Sequence, residues 1–272
     1  MKKIKINSLE ISNHNPLVLL AGPCVIENRE IPFIVVDKLM EITTKLGIPY
    51  IFKSSYKKAN RTSLNSFVGL EFEEAIGILD EIRTKYKIPV VTDVHTAEEV
   101  EKVSKYVDIL QIPAFLCRQT DLLIAAGKTN KVVNIKKGQF LAPEDMKYAA
   151  EKVVSTGNEK VMLTERGTTF GYHNLVVDMR GLVIMKETEF PVIMDATHSV
   201  QIPSSGGVSG GMPKFIEPLA KAAVAIGVAG LFMEVHPEPA KALSDSGSQF
   251  PLADMEKFLI KIKHFDELAK QN

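Results

Sequence analysis

Short apolar runs recur along the chain, and most of them end in a polar or charged residue. Such continuous runs, without strict alternation, are typical of strands that are buried on both faces of a parallel sheet. We therefore predict eight parallel strands. They cover residues 17–21, 50–53, 88–93, 107–112, 132–136, 160–164, 191–195 and 230–234.

The segments between these runs carry apolar residues at helical spacing. Gly47 is a typical helix stop, and Pro143 with two following acidic residues is a typical helix start. The opening segment, residues 3–11, alternates charged and apolar residues and predicts a small hairpin. The pattern predicts helices at about 29–46, 72–86, 121–126, from 143 onward, 215–226 and 252–268.

The alternation of strands and helices predicts an α/β fold. Eight strands in right-handed βαβ units of roughly 30 residues favour a closed (β/α)8 TIM barrel. We expect one domain over residues 1–272, with the short N-terminal β-hairpin as a cap. An open doubly wound sheet is the alternative, but no Gly-x-Gly-x-x-Gly turn follows the first strand.

Composition narrows the class of protein. The 272 residues are 45% hydrophobic and 24% charged, as in ordinary soluble globular proteins. A formal net charge of zero argues against a nucleic-acid-binding surface. No apolar run approaches the ~18 residues of a membrane span, and the lysine-rich amino end lacks the apolar core of a secretion signal. Two cysteines are too few for a disulfide framework, so we expect a cytoplasmic protein.

Chemically versatile side chains follow almost every predicted strand. The active site of such a barrel lies at the carboxyl ends of its strands, where packing alone does not require charges. We therefore predict an active site at this end. The residues there are Cys24, Lys53, Asp93, Gln111, Lys136, Arg166, His198 and Glu234.

Four of the candidates are cations from the second, fifth and sixth strand ends, namely Lys53, Lys58, Lys136 and Arg166. They would surround a central anion, because each charge-assisted hydrogen bond contributes roughly 1.5–3 kcal/mol. Lysine and arginine together suit phosphate and carboxylate oxygens. An exposed basic loop is the alternative for the segment that also carries Asn60, Arg61 and Ser63.

A second group consists of Cys24, His198 and Glu234, from the first, seventh and eighth strand ends. Barrel closure makes these strands consecutive, and Asp245 in the following loop can reach the same edge. A thiolate, an imidazole and two carboxylates form a plausible set of ligands for a divalent metal. Each residue also has a structural interpretation, such as a buried apolar thiol, a turn aspartate or a carboxylate paired with lysine.

Two further segments bear on function. Residues 204–211 read Ser-Ser-Gly-Gly-Val-Ser-Gly-Gly and predict either a flexible lid or an ordinary connection. Arg118 follows the fourth strand, where it can line the site or reach another subunit.

Several motifs are specific enough to indicate a family. They are Ala-Gly-Pro-Cys at 21–24, Lys-Ala-Asn-Arg-Thr-Ser at 58–63, Gln-Ile-Pro-Ala-Phe-Leu at 111–116, Asn-Ile-Lys-Lys-Gly at 134–138, Thr-Glu-Arg-Gly at 164–167, Asp-Ala-Thr-His-Ser at 195–199, Glu-Val-His-Pro-Glu-Pro at 234–239 and Ala-Leu-Ser-Asp at 242–245. With them the chain resembles the 3-deoxy-D-manno-octulosonate 8-phosphate synthase family along essentially its whole length.

The resemblance implies an enzyme that condenses phosphoenolpyruvate with D-arabinose 5-phosphate and releases phosphate, in the synthesis of the Kdo sugar of lipopolysaccharide. It assigns Lys53, Lys58, Lys136 and Arg166 to phosphoenolpyruvate, and these cations with Asp93 and His198 form the catalytic set. It assigns Asn60, Arg61 and Ser63 to the pentose phosphate, with Arg118 donated by a neighbouring subunit of a homotetramer. Asp93 and Gln201 would contact the sugar, and Gln111 is a further substrate-binding candidate.

The family has metal-dependent and metal-independent branches. The metal-independent members carry asparagine at position 24 and Cys-Asp-Gly at 244–246. Cys24, with His198, Glu234 and Asp245 as further ligands, therefore implies the metal-dependent branch, and Zn²⁺, Fe²⁺ or Mn²⁺ suit this set. Lys57 stands where relatives often have aspartate.

Three other functions remain open at this point. A related heptulosonate phosphate synthase uses erythrose 4-phosphate, but its motif resembles Lys-Pro-Arg-Thr-Ser and lacks the asparagine found here at position 60. An aldolase that forms a Schiff base on Lys136 or Lys53 is a different reaction class. A non-catalytic sensor of sugar phosphates is the third, and it leaves the metal ligands unexplained.

Overall fold

Eight parallel strands close into a ring in the computed structural model, which describes residues 2–60, 66–172, 174–205 and 208–271. A hairpin of β1 (Ile4–Ile6) and β2 (Leu9–Ile11) comes first. Seven barrel strands follow: β3 (Val18–Gly22), β4 (Tyr50–Lys53), β5 (Val90–Asp93), β6 (Ile109–Ile112), β7 (Val132–Lys136), β8 (Val161–Glu165) and β9 (Val192–Asp195). After a second hairpin, β10 (Gln201–Ser205) and β11 (Val208–Gly211), come the eighth barrel strand β12 (Gly230–His236) and the short β13 (Phe250–Pro251).

Strand β12 closes the ring. Gly230 pairs in parallel with Val18 of β3 on one side and with Ile193 of β9 on the other. Consecutive strands from β3 to β9 are neighbours throughout. The predicted (β/α)8 barrel and its N-terminal hairpin are therefore confirmed, and the open sheet is excluded.

The described residues form eight α-helices, of which the first seven lie between strands and the eighth follows the last strand. They are α1 (Glu30–Leu46), α2 (Phe72–Tyr86), α3 (Ala97–Ser104), α4 (Thr120–Lys128), α5 (Met146–Val154), α6 (Met179–Lys186), α7 (Ile216–Ala225) and α8 (Met255–Ala269). The sequence pattern predicted neither α3 nor α6. Each has eight residues, which is too short for a clear period, and each is capped by a side chain, Thr96 or Asp178, that accepts from a backbone N–H of its first turn.

The core has two layers, because alternate strand residues point to opposite faces. Leu19 packs outward among the helices, whereas Leu20 points into the barrel. Ile4, Ile6 and Ile11 of the hairpin join the inner layer and cover the amino-terminal end of the barrel. The carboxyl end of the strands is thereby left for the site. None of the described helices combines the length and apolar character that crossing a bilayer requires.

The segment predicted as a flexible lid contains regular structure. Strands β10 and β11 pair antiparallel, with a register shift between Ile202 and Ser205. Backbone hydrogen bonds form regardless of side chains, so composition alone did not indicate this hairpin. Its end packs against the loop after β12, since a Cβ on Gly211 would lie 2.4 Å from the Gly247 carbonyl oxygen. Gly206 and Gly207, at the centre of the predicted lid, lie outside the described residues.

Candidate active site

A cavity of about 690 Å³ opens at the carboxyl ends of the barrel strands. Cys24 and Glu234 are buried beside it. Arg118 is exposed and absent from the described lining. Arg61 and Ser63 lie outside the described residues, so their predicted roles stay predictions. Ten predicted residues line the cavity: Lys53, Lys58, Asn60, Asp93, Gln111, Lys136, Arg166, His198, Gln201 and Asp245.

Phe232, from the barrel interior, lies beneath two of the cations. The Lys53 and Lys136 ammonium groups lie 5.1 and 4.4 Å from the centre of its ring. At these distances the ring face attracts a cation. Lys53 Nζ also donates to Ser55 Oγ at 3.1 Å and to Glu234 Oε1 at 3.4 Å. The two lysines, 1% and 5% exposed, are therefore held in place before any substrate binds.

Asp195, at the end of β9, joins two predicted residues. Its Oδ2 lies 2.5 Å from Lys136 Nζ and 2.8 Å from His198 Nδ1. Burial works against its charge, but His198 and Lys136 outweigh burial and hold the pKa of Asp195 well below its usual range. Burial also lowers the pKa of Lys136, and Asp195 only partly opposes this shift. Asp195 was not among the predicted site residues, although it stands at a strand end like the others.

The two terminal nitrogens of Arg166 differ in their surroundings. Its Nη2 donates to Gln201 Oε1 at 2.9 Å, whereas Nη1 is buried without a hydrogen-bond partner in the described part of the chain. Burial lowers the pKa of this guanidinium, yet an arginine stays charged in proteins. Its backbone is fixed by Glu165 Oε1, which accepts from the N–H groups of Arg166 and Gly167. A buried, partly unpaired guanidinium in a cavity is a strong site for an anion.

A chain of side-chain hydrogen bonds crosses the site from β4 to β8. Ser55 and Gln111 donate to the two carboxylate oxygens of Asp93, each at 2.7 Å. Asn134 donates to Gln111 at 3.1 Å, and Thr164 donates to Asn134 at 2.7 Å. Burial opposes the charge of Asp93, but Lys53 and then Lys58 keep its pKa well below the usual value. Asn134 was detectable as the polar residue inside an otherwise apolar strand.

The predicted metal ligands are brought together. One ligand atom each from Cys24, Glu234 and Asp245 lies within 4.8 Å of the other two. His198 lies at the edge of this group, with Nε2 3.4 Å from Glu234 Oε1 and 3.9 Å from Asp245 Oδ2. Cys24 Sγ is 3.0 Å from Ser244 Oγ and 3.4 Å from Asp245 Oδ2. Residues 221 positions apart thus meet as barrel closure predicted.

The chemistry of this group fits a divalent cation. Glu234 Oε1 lies near Lys53, Lys58 and His198, but Oε2 is buried with no hydrogen bond from the described residues. An ionised oxygen without a donor is costly unless a cation approaches it. Burial, aided by Glu234, raises the pKa of the Cys24 thiol, and a bound cation favours the thiolate instead. One sulfur, one nitrogen and two carboxylates suit Zn²⁺, Fe²⁺ or Mn²⁺.

Gly22 explains part of the Ala-Gly-Pro-Cys motif. Strands β3 and β4 approach so closely that a Cβ on Gly22 would lie 2.0 Å from the Lys53 carbonyl oxygen. Glycine is therefore required at position 22, where close approach of the two strands places Cys24 and Lys53 at the same site. Gln249 adds a second restraint, since its side chain accepts from Cys24 N at 3.4 Å and donates to Ser244 O at 2.9 Å.

Fold and site together define a (β/α)8 protein in which a cationic cavity adjoins a cluster of metal-ligating residue types. The chain belongs to the DAHP synthetase I family, whose sequence pattern it matches over residues 2–271. It is 53% identical over 271 residues to the 2-dehydro-3-deoxyphosphooctonate aldolase of Rickettsia bellii, covering 99% of each chain. Proteins with the same name from Rickettsia prowazekii and Geobacter sulfurreducens are 51% and 50% identical over 99–100% of both chains.

Proposed function

We propose that the chain condenses phosphoenolpyruvate with D-arabinose 5-phosphate and water, giving 3-deoxy-D-manno-octulosonate 8-phosphate and inorganic phosphate. The observation that carries this proposal is the convergence of four buried cations on one cavity, in a chain about half identical over its full length to relatives named for the octonate product. Both substrates are anions, and a cavity of about 690 Å³ accommodates two small phosphorylated molecules.

The four cations differ in how far protein carboxylates already neutralise them, and therefore in how many donors remain for a substrate. Lys136 lies against Asp195, and Lys53 and Lys58 lie against Glu234, whereas no described residue pairs with Nη1 of Arg166. Arg166 is therefore assigned to an oxygen of the phosphoenolpyruvate phosphate or carboxylate. The three lysines surround the remaining oxygens. Their contribution is orientation of the reactants and stabilisation of negative charge in the transition state.

The bond changes follow from the substrates. The C2–C3 π electrons of phosphoenolpyruvate form the new bond to the aldehyde carbon of the open-chain pentose, and the aldehyde oxygen takes up a proton. Water adds to C2 and loses a proton, which gives a hemiketal phosphate. The bond from C2 to the phosphate oxygen then breaks while the C2 hydroxyl loses its proton, so that a C2 carbonyl forms and phosphate is released. Lys136 is assigned as proton donor, because burial lowers the pKa of its ammonium group and makes it a stronger acid.

Cys24, His198, Glu234 and Asp245 would hold a divalent metal beside the same cavity. When bound, such a metal supplies a Lewis acid that polarises the aldehyde or increases the acidity of water. Zn²⁺, Fe²⁺ and Mn²⁺ all fit the proposal. A reducing cytoplasm, where the Cys24 thiol stays reduced, is the compartment we propose.

The pentose phosphate is assigned to the loop that carries Asn60, which lines the cavity. Arg118, from the loop after β6, is assigned to the same phosphate in a neighbouring subunit of a homotetramer. The exposed aromatic residues on the loops after β6, β7 and β8 support this assembly, because a second copy would cover them. They are Phe115, Phe140, Phe170 and Tyr172, between 55% and 80% exposed.

The test is release of inorganic phosphate from phosphoenolpyruvate with D-arabinose 5-phosphate or D-erythrose 4-phosphate at equal concentration. We expect rapid release with the pentose phosphate, a product of the eight-carbon mass, and little release with the tetrose phosphate. Faster reaction with the tetrose phosphate would favour the heptulosonate reaction, which the family name also covers. The variant Arg166→Ala is the matched control for contaminating phosphatase.

Borohydride separates this reaction from a Schiff-base aldolase. The proposed mechanism forms no imine, so borohydride with substrate leaves the protein mass unchanged. A reduced adduct on Lys136 or Lys53 would show covalent catalysis instead. A non-catalytic sensor would bind the two phosphorylated compounds without releasing phosphate.

A further inference from the structure

Glu27 lies three residues after Cys24 and makes contacts that the reaction above does not use. The side chain is buried, 9% exposed, and is absent from the described lining of the cavity. Its Oε1 lies 2.7 Å from His236 Nε2, and its Oε2 accepts from Leu243 N at 2.8 Å. A buried carboxylate with hydrogen bonds to both oxygens is held in one position, and it also fixes the positions of the groups that donate to it.

His236 belongs to β12, two residues after Glu234. Its Nδ1 accepts from Glu238 N at 2.9 Å, so we assign the ring proton to Nε2, which donates to Glu27. The ring is 3% exposed. His236 therefore connects the Cys24 segment to the strand that carries Glu234 and to the start of the loop that follows.

Leu243 connects the Glu27 carboxylate to the segment that carries Asp245. It stands two residues before Asp245, whose backbone has a φ of 48°, in the left-handed region that few residues other than glycine adopt. Such a backbone conformation persists only where its surroundings support it. The hydrogen bond from Leu243 N to Glu27 supports the chain before Asp245, and the Asp245 carbonyl accepts from Ser248 N and Gln249 N after it.

One carboxylate thus joins the three segments that carry Cys24, Glu234 and Asp245, although Glu27 and His236 are 209 positions apart. We propose that Glu27 and His236 are positioning residues that hold these three side chains at metal-ligand spacing before the metal binds. The proposal rests on the metal site of the proposed function. Ligands that are already spaced lose less conformational freedom on binding, which increases affinity.

The test measures metal affinity of the metal-free protein directly, by competition with a chromogenic chelator for Zn²⁺ and Co²⁺. In Glu27→Gln the side chain keeps its size but has one acceptor oxygen, so its amide N–H₂ meets one of the two donors, His236 or Leu243. We expect affinity to fall roughly 10–100-fold, the range typical for residues that orient ligands. Glu30→Gln is the matched control, since Glu30 is exposed in the same segment, and it should bind as the wild type does.

Two variants of His236 make the test independent of Glu27. His236→Phe removes both hydrogen bonds and should weaken metal binding as Glu27→Gln does. His236→Gln can still donate to Glu27 and accept from Glu238, so it should recover most of the affinity. With Co²⁺, the thiolate charge-transfer band of Cys24 should weaken or shift in Glu27→Gln and His236→Phe and be retained in His236→Gln.

The outcomes separate this inference from the proposed reaction. Wild-type affinity and an unchanged cobalt spectrum in folded Glu27→Gln and His236→Phe would overturn it, as would a wild-type protein that binds neither metal. Failure of the wild type to release phosphate, with metal affinity still reduced in the variants, would instead overturn the proposed reaction and leave the positioning role intact.

Discussion

His198 Nδ1 lies 2.8 Å from Asp195 Oδ2, while Nε2 on the opposite side of the ring lies 3.4 Å from Glu234 Oε1. Asp195 also accepts from the backbone N–H of His198 at 2.9 Å. Because the pKa of Asp195 is held low, we assign the ring proton to Nδ1, which leaves the Nε2 lone pair facing the predicted metal ligands. A carboxylate that orients a histidine in this way is typical of metal sites.

Asp195→Asn should therefore impair two functions at once. The amide keeps the shape but removes the charge, so His198 loses its orientation and Lys136 loses its partner. We expect metal affinity to fall about 10-fold or more, and kcat to fall roughly 100-fold through misplacement of Lys136. Steady-state kinetics and chelator competition measure the two effects. Asp254→Asn, at an exposed carboxylate, is the control, and equal kcat and affinity in both variants would contradict the assignment.

Cys24→Ala tests whether the reaction needs the metal. Loss of the thiolate should lower activity roughly 100-fold, because a bound metal supplies several kcal/mol of charge stabilisation. A strong chelator should inactivate the wild type, and Zn²⁺, Fe²⁺ or Mn²⁺ should restore it. Cys117→Ala, at the other buried cysteine, should behave as the wild type does. Full activity of both Cys24→Ala and the chelator-treated wild type would remove the metal from the mechanism.

Arg166→Lys tests the unpaired guanidinium edge. Lysine keeps the charge but cannot bond Gln201 and an anion with two parallel donors. Loss of one charge-assisted hydrogen bond costs about 1.5–3 kcal/mol, which lowers kcat/KM for phosphoenolpyruvate by roughly 10–150-fold. The KM for the pentose phosphate should change little. Arg180→Lys, at an exposed arginine, is the control, and equal effects on both substrates would argue against the assignment.

Glu99→Gln tests how the loop after β4, which carries Lys57 and Lys58, is held to α3. Glu99 binds Lys57 and lies 3.3 Å from His95 Nδ1, and its Oε2 accepts from His95 N at 3.0 Å. Burial opposes the charge, but hydrogen bonds from His95 and then Lys57 hold the pKa of Glu99 below its usual value. A carboxyl group whose pKa is lower in the folded protein stabilises the fold above its unfolded pKa of about 4.3, and that stabilisation is lost as pH falls.

The variant should therefore be less stable at pH 7, by about 1–2 kcal/mol, and should lose less stability than the wild type between pH 6 and pH 3. Urea unfolding at one protein concentration measures both. Glu101→Gln, at an exposed position on the same helix, should follow the wild-type curve. Parallel pH curves for wild type and Glu99→Gln would show that Glu99 is not a source of acid lability.

Arg118→Ala tests the proposed donation across subunits. We expect a higher KM for the pentose phosphate and little change in the KM for phosphoenolpyruvate. Co-expression with Arg166→Ala should restore activity, because a subunit with intact Arg166 can then receive Arg118 from its neighbour. The same two proteins, purified separately and mixed without exchange, are the control. No gain on co-expression would place Arg118 outside the neighbouring site.

The pattern of apolar and polar residues was sufficient to predict the elements whose burial depends only on consecutive residues. Apolar runs such as Val18–Gly22 predicted the barrel strands, because a strand covered on both faces needs mainly apolar residues. The short helices α3 and α6 were missed, and the hairpin β10–β11 was read as a flexible segment. In each case end caps or backbone pairing decided the structure, and neither leaves a periodic signal.

The sequence by itself determined the barrel, the end at which its chemistry collects and the residue types found there. The tertiary structure decided which of these residues pair: Asp195 with Lys136 and His198, and Glu27 with His236. It also decided that one nitrogen of Arg166 has no hydrogen bond within the part of the chain that the structure describes. The reason is physical, because strand burial depends on neighbouring residues in the chain, whereas hydrogen bonds and pKa values depend on groups that meet only when the ring closes.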